Sequence, residues 1–115
     1  MKSDIPYLAH IADSIAAIQT YVAGGRDAFL RERLIQDAVI RNFEISGEAA
    51  GRLSTATRGL SDAPWKRVVA FRNRLVHGYW SVDVMLVWGV IENELPPLKT
   101  GVARLIAELR DKTDQ

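Results

Sequence analysis

The 115-residue sequence contains no cysteine, which excludes a disulfide framework, thiolate zinc sites and cysteine nucleophiles and fits a reducing cytoplasm. Histidine is nearly as scarce: with only His10 and His77, a multi-histidine metal site within one chain is not expected, and no cofactor is called for. The longest apolar stretch, Val82 to Ile91, contains Asp83 and is too short to span a bilayer. Asp4 and Pro6 interrupt the N-terminus, which does not read as a signal peptide. A formal net charge of +1 is far from the basic balance of a general nucleic-acid binder, so any nucleic-acid contact must be local. Gly24-Gly25 lacks both the spacing and the lysine of a phosphate-gripping loop.

With 48% hydrophobic and 25% charged residues, residues 1–115 are expected to form a single domain with one core. At this size about a third of the unfolded chain's surface stays exposed, so pairing with a second copy would cover more apolar area. Ile5, Leu8, Ile11, Ile15, Ile18 and Val22 recur at three- and four-residue steps and predict a first helix, ended by Gly24-Gly25. Asp27 is read as the N-cap of a second helix reaching about Arg58, with Gly59 as a left-handed stop. Asp62-Ala63-Pro64 opens a third helix that ends at Gly78, and Asp83 caps a fourth. Pro96-Pro97 should kink or break the pattern before Leu98, Val102, Leu105, Ile106 and Leu109 resume it as a final helix. No hairpin pattern competes, so the fold class is all-α, a helical bundle.

At about 100° per residue, Trp65, Val68, Val69, Phe71, Leu75 and Val76 form one apolar arc of the third helix with Arg72 near its middle. A guanidinium there needs a carboxylate or an arriving anion. Asn73 and His77 stack one turn apart on a neighbouring face. Singly, such an Arg is more often a snorkelling side chain and such a His a satisfied one. Together, Arg72, Asn73 and His77 supply a cation for a phosphate, an amide to position it, and a base for a ribose 2′-hydroxyl, which is what metal-free phosphodiester cleavage requires. Asp37, Arg41, Glu44, Glu48 and Arg52 project in one stripe of the second helix. Glu44 and Glu48 repel unless a cation lies between them, and Arg72 is the candidate; a plain solvent stripe is the competing reading. Gly47 and Gly51, also four apart, suggest close approach of another helix, within the chain or across a dimer. Trp65, Tyr79, Trp80 and Trp88 read as core or interface aromatics.

Three stretches, Ala38 to Ala50, Arg72-Asn73-Arg74-Leu75-Val76-His77-Gly78-Tyr79, and Asp83 through Leu95-Pro96-Pro97-Leu98, resemble the HepT-like group of HEPN proteins in family order. The resemblance implies a four- to five-helix up-and-down bundle that forms a homodimer with both Arg-x4-His motifs facing one cleft. It implies a metal-independent ribonuclease, the toxin of a HEPN/MNT toxin–antitoxin pair, with Arg72, Asn73 and His77 catalytic; Glu44 and Glu48, from their place on the stripe beside Arg72, are read as supporting. It also implies a partner, an MntA-like nucleotidyltransferase antitoxin that transfers AMP from ATP to the motif tyrosine, here Tyr79. Two rival readings stand beside it: a non-catalytic module that binds a nucleotide or partner through Arg72, and a helical dimerisation module without a ligand.

Overall fold

Each of the expected apolar stripes folds as a helix. The computed structural model describes residues 4–78 and 82–113, and among these are seven helices and no strand: α1 (Ile5–Tyr21), α2 (Arg26–Arg31), α3 (Arg33–Gly51), α4 (Thr55–Arg58), α5 (Trp65–His77), α6 (Val84–Asn93) and α7 (Leu95–Thr113). The first stripe becomes α1, which buries Leu8, Ile11, Ile15 and Ile18. It packs on α3 and α7, α3 in turn carries α5, and α6 packs on α7 and, more lightly, on α2. The shared core includes Val39, Phe43, Leu75, Val87, Leu98, Val102 and Leu105. None of the described helices is long and apolar enough to cross a membrane.

The expected long second helix is three helices. Glu32 is extended (φ −106°, ψ 106°) and separates α2 from α3; the Gln36 side chain then donates to the carbonyls of Phe29 (2.9 Å) and Leu30 (3.1 Å) at the end of α2. Asp27 lies in the first turn of α2, and the capping position is taken by Gly25, whose φ of 92° is the left-handed geometry that glycine tolerates. A second break falls at Arg52–Ser54. Ser54 caps α4 by accepting from the Thr57 amide (3.2 Å), and Gly59, with φ −69°, ends α4 without a left-handed turn. These are corrections to the sequence reading, and the second has a cause. Asp4, buried ahead of α1, accepts hydrogen bonds from the Ser54 amide (3.1 Å), the Ser54 hydroxyl (2.7 Å) and the Thr57 hydroxyl (2.6 Å). That clamp needs the α4 N-terminus turned toward α1, which a continuous helix would not allow.

Asp83 caps α6 as expected, accepting from the Met85 amide at 2.9 Å. Pro96 and Pro97 open α7 instead of preceding it: the break falls at Glu94, and the prolines occupy the first turn, where their missing N–H groups have no intrahelical acceptor to lose. Pro64 likewise stands at the N-cap of α5, one position before its first turn.

Candidate functional site

One of the two glycines on α3 decides how near α5 can come. A Cβ on Gly47 would overlap Cβ and Cγ of Arg72 and lie 3.1 Å from the Val68 carbonyl, so glycine lets α5 seat directly on α3. Gly51 meets nothing, and the close approach expected for both belongs to Gly47 alone. Seating α5 there brings Arg72 over the polar stripe of α3.

Its guanidinium donates to Glu48 Oε2 at 2.7 Å and to Asn73 Oδ1 at 2.9 Å. Glu48 also pairs with Arg52 at 3.3 Å, one turn along α3. A single carboxylate is therefore held between two guanidiniums. Glu44 is not part of it: among the described residues its carboxylate makes no ion pair, so the expected Glu44–Arg72–Glu48 bridge is one-sided. The Arg72 side chain is 30% exposed, at the edge of the seam and not in its centre. Only two of its five N–H donors are used by these partners, leaving others for an anion.

Arg72 and Val76 form one side of a cavity of about 400 Å3. Its floor is the α3 stripe with Arg41, Glu44, Ile45, Glu48, Ala49 and Arg52, and its far side is Tyr7 and His10 of α1. The hydrogen bond to Glu48, and then the neighbouring Tyr7 hydroxyl, raise the Arg52 guanidinium above its ordinary value. On the other side of Arg72, Asn73 joins Gly47, Glu48, Gly51, Arg52 and Val69 around a shallower hollow of about 290 Å3. His77 ends α5, exposed and lining neither space. Five residues along a helix turn it about 140° from Arg72, so cation and imidazole diverge within one chain. Tyr79 and Trp80 lie outside the described residues. Among the described residues no three His, Asp or Glu side chains gather as they would around a metal ion.

Tyr7 and His10 were not singled out by sequence. Their three-residue spacing on one face was visible, but nothing local says that this face of α1 borders the α3 stripe.

A second, more apolar cavity of about 430 Å3 opens between α5 and α6, with Phe43, Phe71, Leu86, Val90, Leu95 and Leu98 in its lining.

Residues 11–105 match the family model described as Ribonuclease HepT-like. The chain is 33% identical over 100 residues to a protein of Thermococcus cleftensis named "Probable ribonuclease HepT", covering 85% of this chain and 91% of that one. It is also 37% identical over 112 residues to a Methanocaldococcus jannaschii protein named "Gamma-glutamylcyclotransferase and putative RNase MJ0434". That match takes in 95% of this chain and only 50% of the relative, so the chain spans half of that protein's length. No solved structure gives a significant match.

Proposed function

Because the chain belongs to the HepT-like ribonuclease family, we propose that it is a metal-independent ribonuclease whose site is completed by a second copy of itself. The observation that carries this reading is Arg72, fixed from two sides by Glu48 and Asn73 with donors to spare for a phosphate. His77 takes the proton of a ribose 2′-hydroxyl, the freed oxygen attacks the adjacent phosphorus, and the P–O bond to the 5′-oxygen breaks. That leaving oxygen needs a proton in turn. His77 of the partner subunit supplies it, giving a 2′,3′-cyclic phosphate and a 5′-hydroxyl. Arg72 balances the charge that builds on the phosphate, and Asn73 fixes the guanidinium plane.

The divergence of His77 from Arg72 supports a cleft shared between two copies, since neither chain alone places both over one cavity. The apolar cavity between α5 and α6, with Leu86 (37%) exposed in its lining, supports a second copy as its occupant.

As in the sequence reading, the chain acts as the toxin of a two-gene pair, and an MntA-like nucleotidyltransferase silences it by moving AMP from ATP to the Tyr79 hydroxyl. The added phosphate would compete for Arg72. The test is incubation of purified protein with total RNA in the presence of a chelator. Cleavage that is lost in His77→Ala is expected; cleavage that returns only with a divalent ion, or that persists in His77→Ala, would overturn the mechanism. Co-expression with the nucleotidyltransferase should add the mass of AMP, and should not do so in Tyr79→Phe.

A further inference from the structure

The cavity beside Arg72 has more in it than phosphate chemistry needs. Ile45 and Ala49 give it an apolar floor, and Tyr7 and His10 stand over that floor from α1. Tyr7 lines the cavity together with Arg52, which is itself paired with Glu48. Glu44, partly buried on the same floor, has no hydrogen-bonding or ionic partner among the described residues. An open groove with an apolar patch on its floor, rings on one side, an unused acceptor beside the patch and three arginines in its lining matches a nucleobase joined to a phosphate. The volume of about 400 Å3 lies within the range of small-ligand cavities.

We propose that the groove between α1 and α3 is the base subsite for an RNA nucleotide flanking the cleaved bond, with Tyr7 and His10 packing against the base and Glu44 accepting from its N–H edge. The identity of the substrate rests on the ribonuclease reading; the base preference does not. A carboxylate accepts best where a ring N–H and an exocyclic amine lie side by side, as in guanine. Uracil, with one ring N–H and two carbonyls, would set a carbonyl against Glu44. The nucleotide's phosphate lies toward Arg52 and Arg72. Glu48 does not repel it strongly, because both guanidiniums already share that carboxylate.

The test titrates the full chain with GMP, UMP and ribose 5-phosphate, following backbone amide shifts, while cleavage of total RNA is measured in parallel. GMP should bind on the order of tenfold more tightly than ribose 5-phosphate, the size expected of one base stacked on an aromatic ring, with UMP between them. His10→Ala and Tyr7→Leu should shrink the advantage of GMP over ribose 5-phosphate, and Tyr7→Phe should keep it. Glu44→Gln should remove the preference for GMP over UMP and leave ribose 5-phosphate unaffected. Because His10 is exposed, its variant is expected to fold even if Tyr7→Leu does not. Equal binding of GMP and ribose 5-phosphate, or a GMP advantage that survives both His10→Ala and Glu44→Gln, overturns the subsite. Cleavage without a base preference sinks this inference alone, whereas a base preference without cleavage sinks the ribonuclease reading and leaves the subsite standing.

Discussion

Arg72 makes its two hydrogen bonds with atoms that differ in kind: a carboxylate on another helix and the amide of the next residue. Lysine could keep the charge but not the planar fork that satisfies both while still facing a phosphate. Arg72→Lys should therefore lower RNA cleavage at least tenfold while thermal unfolding stays near that of the parent. Arg72→Ala should abolish cleavage. Its stability cost is expected to be about 1 kcal/mol, not that of a buried pair, because Arg72 and Glu48 are 30% and 48% exposed and solvent screens them. Thermal denaturation followed by circular dichroism separates the two effects, and a loss of several kcal/mol would contradict the half-exposed geometry.

At the scale of elements, Gly47 and Gly51 give opposite expectations from the same substitution. Gly47→Ala drives a methyl into Arg72 and should cost about 2–3 kcal/mol or more, with cleavage lost as α5 is displaced. Gly51→Ala, exposed with open space around its Cβ, should raise stability by up to about 1 kcal/mol through helix propensity. Denaturant midpoints of the two variants check this directly. The Asp4 clamp yields a pH dependence. Burial alone would raise its carboxyl, but the hydrogen bonds from Thr57 and Ser54 outweigh it and hold the group below 3.8. Its contribution is complete above that unfolded value and lost as pH falls through the lower folded one. Asp4→Ala should cost about 2 kcal/mol at neutral pH, and its stability should fall less steeply than the parent's below pH 3.8 in an acid titration.

What sequence could show follows from this division. The stripes of α1 and α5 and the Asp83 cap were legible because each is set within one or two turns of chain. The breaks at Glu32 and Ser54 were not. Helical periodicity runs through Arg33–Gly51 and its flanks without a proline or a positive-φ glycine to stop it, and the reason for the second break is a carboxylate fifty residues away in sequence. The Pro96-Pro97 pair was read as an interruption because a double proline both starts and stops helices, and only the turn at Glu94 decides which. At the site, the contact of Arg72 with the α3 acidic stripe was inferred from the cost of an unpaired charge. Which glutamate receives it, and that α1 closes the groove, depend on how three helices pack.

At the scale of the whole molecule, the principal extents are 49 × 28 × 19 Å, so the thinnest dimension is about two helix diameters. A slab this thin leaves helix faces uncovered, and the groove between α5 and α6 is one of them. Leu86→Glu places a charge on its exposed rim without touching Arg72 or His77, so the chain should stay helical, run as a monomer by light scattering, and lose cleavage in the same step. A dimeric, fully active Leu86→Glu protein would move the interface elsewhere.

The arrangement of α5 also bears on time. Among the described residues its only extensive helix contact is with α3, whereas α1 lies against both α3 and α7. An element held along one side opens more readily than one held along two. In native-state hydrogen exchange the amides of residues 69–77 should therefore exchange before those of α1, by local detachment without global unfolding. A bound nucleotide phosphate, gripping Arg72 and the α3 arginines together, would fasten that strip and slow its exchange. The fraction of molecules in which α5 is seated would then set how often a cleavage-ready site exists.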